Sequence, residues 1–236
     1  MVEKVYVTYN DVSALSSLPR ILPHSEVVHK LCQEAAVQIL KDFQPNLMIA
    51  IGGGGYVPAR ILRSFLKQPG SPNIPIQAIG LSLYEQLPET HPASGTTTPG
   101  AVEQIGHKVT RTQWLDLTSL GGMENLVGKR ILIVDEVDDT RTTLEYAVKE
   151  LEKDVEQVRQ RLGLNEETQF GIFVLHNKDK PKKGTLPAHI TTKERYVAAR
   201  TVGDIWICYP GRPQTSKSTT KPLDNSRTSQ VTLKAK

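Results

Sequence analysis

The sequence predicts an α/β architecture, a mostly parallel sheet flanked by helices on both faces. Three observations carry it. Residues 47–51 and 131–134 are unbroken apolar runs, the pattern of strands buried on both sides rather than of half-exposed, alternating ones. Each run ends in a turn rich in glycine or in acids and hydroxyls, and each turn leads into a helical pattern. Leu144, Val148, Leu151, Val155, Val158 and Leu162 recur at spacings of four and three, the stripe of an amphipathic helix lying against such a sheet.

Taken in order, residues 5–9 read as a short strand, and 13–25, with Pro19 and Pro23, show no periodicity and read as an insertion. Residues 27–43 carry apolar positions Val27, Val28, Leu31, Ala35, Val37, Ile39 and Leu40, which approximate one face of a helix. After the strand at 47–51 comes the run Gly52, Gly53, Gly54, Gly55, then a helix expected from Pro58, a residue suited to a first helical turn, to Leu66. A third strand is expected over 74–83. Residues 86–106 shift to Pro, Thr, Ser and Gly and predict a mobile loop, and 109–114 return as a strand. Residues 170–176 form another apolar strand, 178–183 a basic loop, and 196–202 and 205–209 complete the ordered part.

Composition narrows the function. The chain has 236 residues, 38% of them hydrophobic, and no segment long enough to span a membrane. Its start lacks the pattern of a secretory signal, so the expected setting is cytoplasmic. Cys32 and Cys208 are too few for a disulfide scaffold or a zinc site. The net charge of +4 hints at nucleic acid but is misplaced for it. From Gly211 on, Arg212, Lys217, Lys221, Arg227, Lys234 and Lys236 face only Asp224, a net +5, which leaves the preceding body at −1. Neither a nucleic-acid nor a membrane partner is expected of the folded part. Nucleic-acid binding confined to the basic tail is a separate reading, and it predicts salt-sensitive affinity.

The segment from Ile131 to Thr143 holds the densest chemistry. The apolar strand delivers Asp135 and Glu136 to its carboxyl end, where open α/β sheets place their ligands. Asp138, Asp139, Thr140, Arg141, Thr142 and Thr143 then bring hydroxyls and amides to a helix N-terminus, a site made for a phosphate. The bland alternative is a solvated strand end, with Asp139 as a simple helix cap. The glycine run lets amides approach an anion closely. It is not a dinucleotide fingerprint, because the third glycine would fall on Val57 or Pro58, and Tyr56-Val57-Pro58 excludes a Walker A loop. A tight structural turn is the alternative there.

The strand, acidic pair and Asp-Thr-x-x-Thr run resemble the phosphoribosyl-pyrophosphate (PRPP) signature of the purine phosphoribosyltransferases. Residues 73–84, 111–116 and 173–182 extend the likeness to its fungal branch, to the xanthine enzymes first and the hypoxanthine-guanine enzymes next. The resemblance covers about residues 4–210, and a type I phosphoribosyltransferase fold with a small hood and a flexible lid loop follows from it. It implies transfer of phosphoribose to a 6-oxopurine, Mg²⁺ as cofactor, and a homodimer. It also assigns roles. Asp135 and Glu136 would hold the ribose hydroxyls and order the metal, residues 138–143 the 5′-phosphate, and Gly52 to Gly55 the pyrophosphate. Asp139 would serve as general base beside purine N7. Lys178, with Lys180 close by, would read O6, and Trp206 with Ile207 would line the base. Taken alone, Trp206 would be read as core packing. Residues 86–106 match the lid, with Ser82 and Tyr84 at its base.

Three departures from the family pattern are visible. Gly53 stands where relatives often carry Lys or Arg, and Arg141 where many carry Gly, so its guanidinium is expected to add a phosphate contact. After Pro210 the relatives continue into Trp and an acidic helix, whereas this chain turns to a basic, low-complexity run, 211–236, expected to be disordered. That tail reads as an out-of-frame product of a one-base loss near the Pro210 codon, and it removes an acidic contributor expected near the purine. An in-frame transcript encoding it would overturn the idea. A non-catalytic PRPP sensor on the same fold is the alternative function, and Lys178, Trp206 and the glycine run speak against it.

Overall fold

The structure, a computed structural model, describes residues 20–21, 25–82, 109–115, 122–192, 194–207 and 209. The strand expected over 5–9, the lid at 86–106 with Tyr84, and the tail at 211–236 lie outside the described residues. The elements are β1 (Arg20–Ile21), α1 (Ser25–Asp42), β2 (Leu47–Ile51), α2 (Gly52–Leu66), β3 (Ile76–Ser82), β4 (Thr110–Gln113), β5 (Arg130–Asp138), α3 (Thr142–Leu162), β6 (Gln169–Lys178), α4 (Ala188–Thr191), β7 (Tyr196–Val202) and β8 (Trp206–Ile207). A short 3-10 turn, Met123–Leu126, precedes β5.

Six strands pair in the order β4-β3-β2-β5-β6-β7. All the ladders are parallel except β3 with β4. Strand pleating sorts the apolar runs onto two faces. Met48, Ala50, Leu132, Val134, Phe173 and Leu175 meet α1 and α2 on one side. Ile49, Ile51, Ile131, Ile133, Ile172 and Val174 meet α3 and Ile190 of α4 on the other. Both faces are therefore covered, which is why these strands read as continuous apolar runs.

Several expectations shift. Helix α2 begins at Gly52 rather than Pro58, so the glycines form its first turn instead of a loop before it, and Pro58 lies inside the helix. Its ring has no N–H for the Gly54 carbonyl four residues back, so that intrahelical bond is missing. Val37 points to solvent at 71% exposure while Ala36 is buried, so the α1 stripe runs through residues 28, 31, 32, 35, 36 and 39. Leu162, at the end of the α3 stripe, is likewise exposed. The aperiodic segment 13–25 contributes β1, which pairs in parallel with β8 in a separate two-stranded sheet, Arg20 opposite Trp206 and Ile21 opposite Ile207.

The sheet has one reversal of winding. From β2 the chain steps outward through β3, then returns to β5 on the other side of β2 and continues to β6 and β7. Helices α2 and α3, which follow these two central strands, cover opposite faces. The crevice between the carboxyl ends of β2 and β5 is thus the place where such sheets bind ligands.

Candidate active site

Both strands at the crevice deliver their chemistry within a residue or two of their ends. β2 runs straight into α2, whose first-turn amides have no intrahelical acceptors. The four glycines there do different jobs. Gly52 adopts φ +50°, a left-handed conformation that lets strand become helix without a break. A Cβ on Gly55 would lie 2.2 Å from the Val134 carbonyl oxygen, and one on Gly54 would lie 2.6 Å from Glu136 Cδ. These two glycines let α2 sit directly on β5. Gly53 alone has open space around a Cβ.

At the end of β5, Asp135 is partly buried, and its Oδ1 accepts the Glu136 amide at 2.7 Å. Glu136 is 7% exposed and lies against the first turn of α2, so the acidic pair and the glycine turn are brought together. Behind it, the Tyr209 hydroxyl donates to the Glu136 carbonyl at 3.0 Å. That hydroxyl must in turn accept from His176 Nδ1 at 2.8 Å, which puts the neutral imidazole proton on Nδ1. Burial, with Arg200 adding repulsion, pushes His176 down to about 4, so it stays uncharged at neutral pH.

Asp138 does not face the crevice. It is 1% exposed, and its Oδ2 accepts from Arg141 Nε and Nη2, both at 2.9 Å, and from the Tyr196 hydroxyl at 2.7 Å. Burial and this bond to Asp138 raise the Tyr196 hydroxyl above the ordinary phenol range. The Asp138 carboxylate, placed by sequence in the phosphate-binding turn, holds that turn from inside. The same geometry turns the Arg141 guanidinium inward, onto Asp138 rather than toward the crevice. Arg141 sits at φ 68°, ψ −3°, a left-handed conformation, which explains why glycine suits this position in relatives.

A strap after β6 clamps the turn from behind. Lys182 Nζ donates to the Asp138 and Asp139 carbonyls at 2.8 and 2.9 Å, and the Lys183 and Gly184 amides donate to the Thr140 carbonyl at 3.0 and 3.1 Å. A Cβ on Gly184 would lie 2.6 Å from the Arg141 carbonyl oxygen, so only glycine allows this approach. Burial lowers the Lys182 ammonium below its usual value despite Asp138 nearby. Thr140 and Thr142 hydroxyls lie 3.1 Å apart at the start of α3, and the first-turn amides through Thr143 complete an anion cradle.

On the other flank, Asp139 reaches the basic loop. Its Oδ1 lies 2.5 Å from Lys180 Nζ and 3.4 Å from Lys178 Nζ. Both ammonium groups also reach Asp204 Oδ1, at 3.0 and 3.3 Å. Burial alone would lower Lys180, but its bonds to Asp139 and Asp204 outweigh it and hold it above its ordinary value. Bonds to Lys180 and Lys178 hold Asp204 below the usual carboxylate range. Trp206, two residues beyond Asp204, is 52% exposed, so core packing is not its role. Ile207 is 9% exposed, and its side chain packs into the core with α1.

Asp139 with Lys178, and Glu136 with the glycine turn, are thus brought together as the sequence suggested. Sequence reasoning missed Asp204, Lys182, Tyr196 and Tyr209. The basic run 178–183 held a signal for Lys182. The others act through contacts across the sheet that no local pattern announces.

A scan against protein-family models finds none that matches. The chain is 50% identical over 211 residues to xanthine phosphoribosyltransferase 1 of Saccharomyces cerevisiae, covering 88% of this chain and 89% of that protein. It is 50% identical over 212 residues to the hypoxanthine-guanine phosphoribosyltransferase of Schizosaccharomyces pombe, covering 89% and 90%. Among solved structures, a hypothetical protein from Neisseria gonorrhoeae with bound ppGpp is similar at TM-score 0.60 and 34% identity, over 83% of this chain and 90% of that one. A purine phosphoribosyltransferase from Pyrococcus horikoshii shares the fold at TM-score 0.51 and 22% identity, over 82% and 94%.

Proposed function

This chain belongs to the purine phosphoribosyltransferase family, and from that premise we propose that it transfers phosphoribose from PRPP to a 6-oxopurine in purine salvage. The products are the nucleoside 5′-monophosphate and pyrophosphate. Xanthine, guanine and hypoxanthine are all within this reading, since xanthine and hypoxanthine-guanine enzymes are both among its half-identical relatives; a preference for xanthine and guanine over hypoxanthine is part of the proposal. The observation that carries it is the convergence of an anion cradle, an acidic strand tip and an acid–lysine cluster at the sheet's winding reversal.

The 5′-phosphate is assigned to the amides and hydroxyls of Thr140 to Thr143, the ribose hydroxyls to Asp135 and Glu136, and the pyrophosphate to the first turn of α2. Purine N9 forms the bond to C1′ while the C1′–oxygen bond breaks and pyrophosphate leaves with the electron pair. The N7 proton passes to Asp139, and the same carboxylate stabilises positive charge on the sugar. Lys178 or Lys180 donates to O6, and the exposed face of Trp206 is available for stacking. Adenine offers an amino group where the lysine needs an acceptor.

Mg²⁺ fits this donor set as a shared ligand. Among the described residues no cluster of three or more His, Cys, Asp or Glu could cage an ion. Two carboxylates that leave the remaining positions to substrate oxygens and water are what this small cation takes. When bound, the ion would supply charge to the departing pyrophosphate. The proposal also includes a homodimer, for which the exposed Val37, Tyr56 and Val57 offer apolar surface, and a cytoplasmic setting. Among the described residues no helix is long and apolar enough to cross a membrane.

The test offers radiolabelled xanthine, guanine, hypoxanthine and adenine, each with PRPP and Mg²⁺. Nucleotide is expected from the 6-oxopurines and not from adenine, and no nucleotide from any base would overturn the reading. Asp139→Asn should lower kcat by roughly 10²–10⁴ while PRPP affinity stays unchanged.

A further inference from the structure

The strap at Lys182, Lys183 and Gly184 has no part in the chemistry assigned above, yet it makes four hydrogen bonds to one target. Lys182 Nζ donates to the Asp138 and Asp139 carbonyls, and the Lys183 and Gly184 amides both donate to the Thr140 carbonyl. Three successive carbonyls of the phosphate turn are thus held on the strap side. A trans peptide unit is planar, with its carbonyl and the following N–H pointing opposite ways. Fixing the Asp139 and Thr140 carbonyls therefore turns the Thr140 and Arg141 N–H groups away from the strap. Neither of these N–H groups meets a described backbone acceptor. Thr142 and Thr143, in the first turn of α3, have no intrahelical acceptor either. Four amides in a row are left for a ligand.

We propose that Lys182 is a positioning residue, which holds the turn's carbonyls on one side so that its amides meet the 5′-phosphate on the other. This deepens the function proposed above and rests on it. An ammonium group has three donors and no acceptor, so it can serve two carbonyls and a carboxylate together. Here the third neighbour is Asp138 Oδ1, fully buried and 3.5 Å away, and the lysine side chain itself is only 14% exposed. A peptide unit released from the strap could rotate and turn its carbonyl oxygen toward the phosphate, exchanging a donor for a repulsive acceptor. Gly184 makes the close approach possible, because a Cβ there would lie 2.6 Å from the Arg141 carbonyl oxygen.

Calorimetry compares guanosine 5′-monophosphate with guanosine on wild type, Lys182→Met, Lys182→Arg and Gly184→Ala, with thermal melts to confirm folding. Lys182→Met keeps the apolar stem and removes the donors. Gly184→Ala keeps every charge and drives the strap off the turn. Both are expected to weaken the monophosphate about tenfold and guanosine less than about twofold, while Lys182→Arg, which still spans two carbonyls, stays within about threefold of wild type. KM for PRPP should rise about tenfold in both at nearly unchanged kcat, because a contact remote from C1′ is equal in ground and transition states. Equal losses for both ligands would make the strap a general support of the fold. A loss in Lys182→Met with Gly184→Ala unchanged would make Lys182 a source of charge only. Either result overturns the proposal, as does wild-type affinity in both variants. If Lys182→Met does not fold, Gly184→Ala decides by the same comparison of ligands. A wild type that binds the monophosphate no better than guanosine overturns instead the assignment of phosphate to this turn, and the function with it.

Discussion

Gly55 and Gly53 are two residues apart in the first turn of α2 and tolerate opposite things. A methyl on Gly55 would lie 2.2 Å from the Val134 carbonyl oxygen, a backbone atom that cannot rotate away. Gly55→Ala is expected to destabilise the protein by about 3 kcal/mol, read as a lowered denaturation midpoint, because helix and strand must separate to admit it. Gly53 has open space, is not left-handed, and faces no neighbour within 4 Å. Gly53→Lys should therefore leave stability within about 1 kcal/mol, since better helix propensity offsets a cation at a helix N-terminus. The added charge should lower KM for PRPP several-fold in steady-state assays, and an unchanged or higher KM would detach this turn from pyrophosphate. The sequence told that four glycines follow a strand. It could not tell that two of them serve contact with β5, because that contact joins residues some eighty positions apart.

At the scale of elements, the turn before α3 shows which parts were legible. The strand, the acids and the helix stripe were readable because burial on two faces and a 3.6-residue period both leave marks in local sequence. The orientation of side chains within the turn was not, since Arg141 could face outward or inward until Asp138 and Tyr196 were in place beside it. β1 was illegible for a related reason: two residues among prolines take their strand conformation from β8, not from their own pattern. Arg141→Gly tests the turn. It relieves a left-handed conformation worth roughly 1 kcal/mol but removes the main partner of a buried carboxylate, a loss of about 3 kcal/mol or more. Net destabilisation of about 2 kcal/mol is expected, and a stabilised variant would show that the inward pair contributes little. β6 carries a second such device. His176 is neutral in the fold, its Nε2 buried without a hydrogen-bond partner among the described residues, and held at about 4 against an ordinary 6.5. Between those values the unfolded chain binds the extra proton, so the stability tied to this histidine is complete above about pH 6.5 and lost as pH falls toward 4. Melting temperatures of His176→Asn, which keeps a donor for Tyr209, should fall less steeply from pH 6.5 to 4.5 than those of wild type. Parallel slopes would reject the assignment.

For the molecule as a whole, charge and fold separate along the chain. Every buried core residue described lies between Val28 and Tyr209. The net charge divides at the same place, with the body at −1 and residues 211–236 at +5. The Tyr209 ring joins the core and its hydroxyl supports Glu136, so a cut must fall after it. A chain ending at Pro210 is therefore expected to melt within about 2 °C of the full chain, since it loses no described packing. It should also turn over 6-oxopurines at a rate within twofold, because every described residue of the site precedes the cut. What it should lose is any salt-sensitive retention on nucleic acid, which the net +5 of that run would confer. Equal retention of both chains at low salt would move that affinity onto the near-neutral body, and a lower melting temperature or rate for the shortened chain would show that the basic segment supports the acidic strand tip after all.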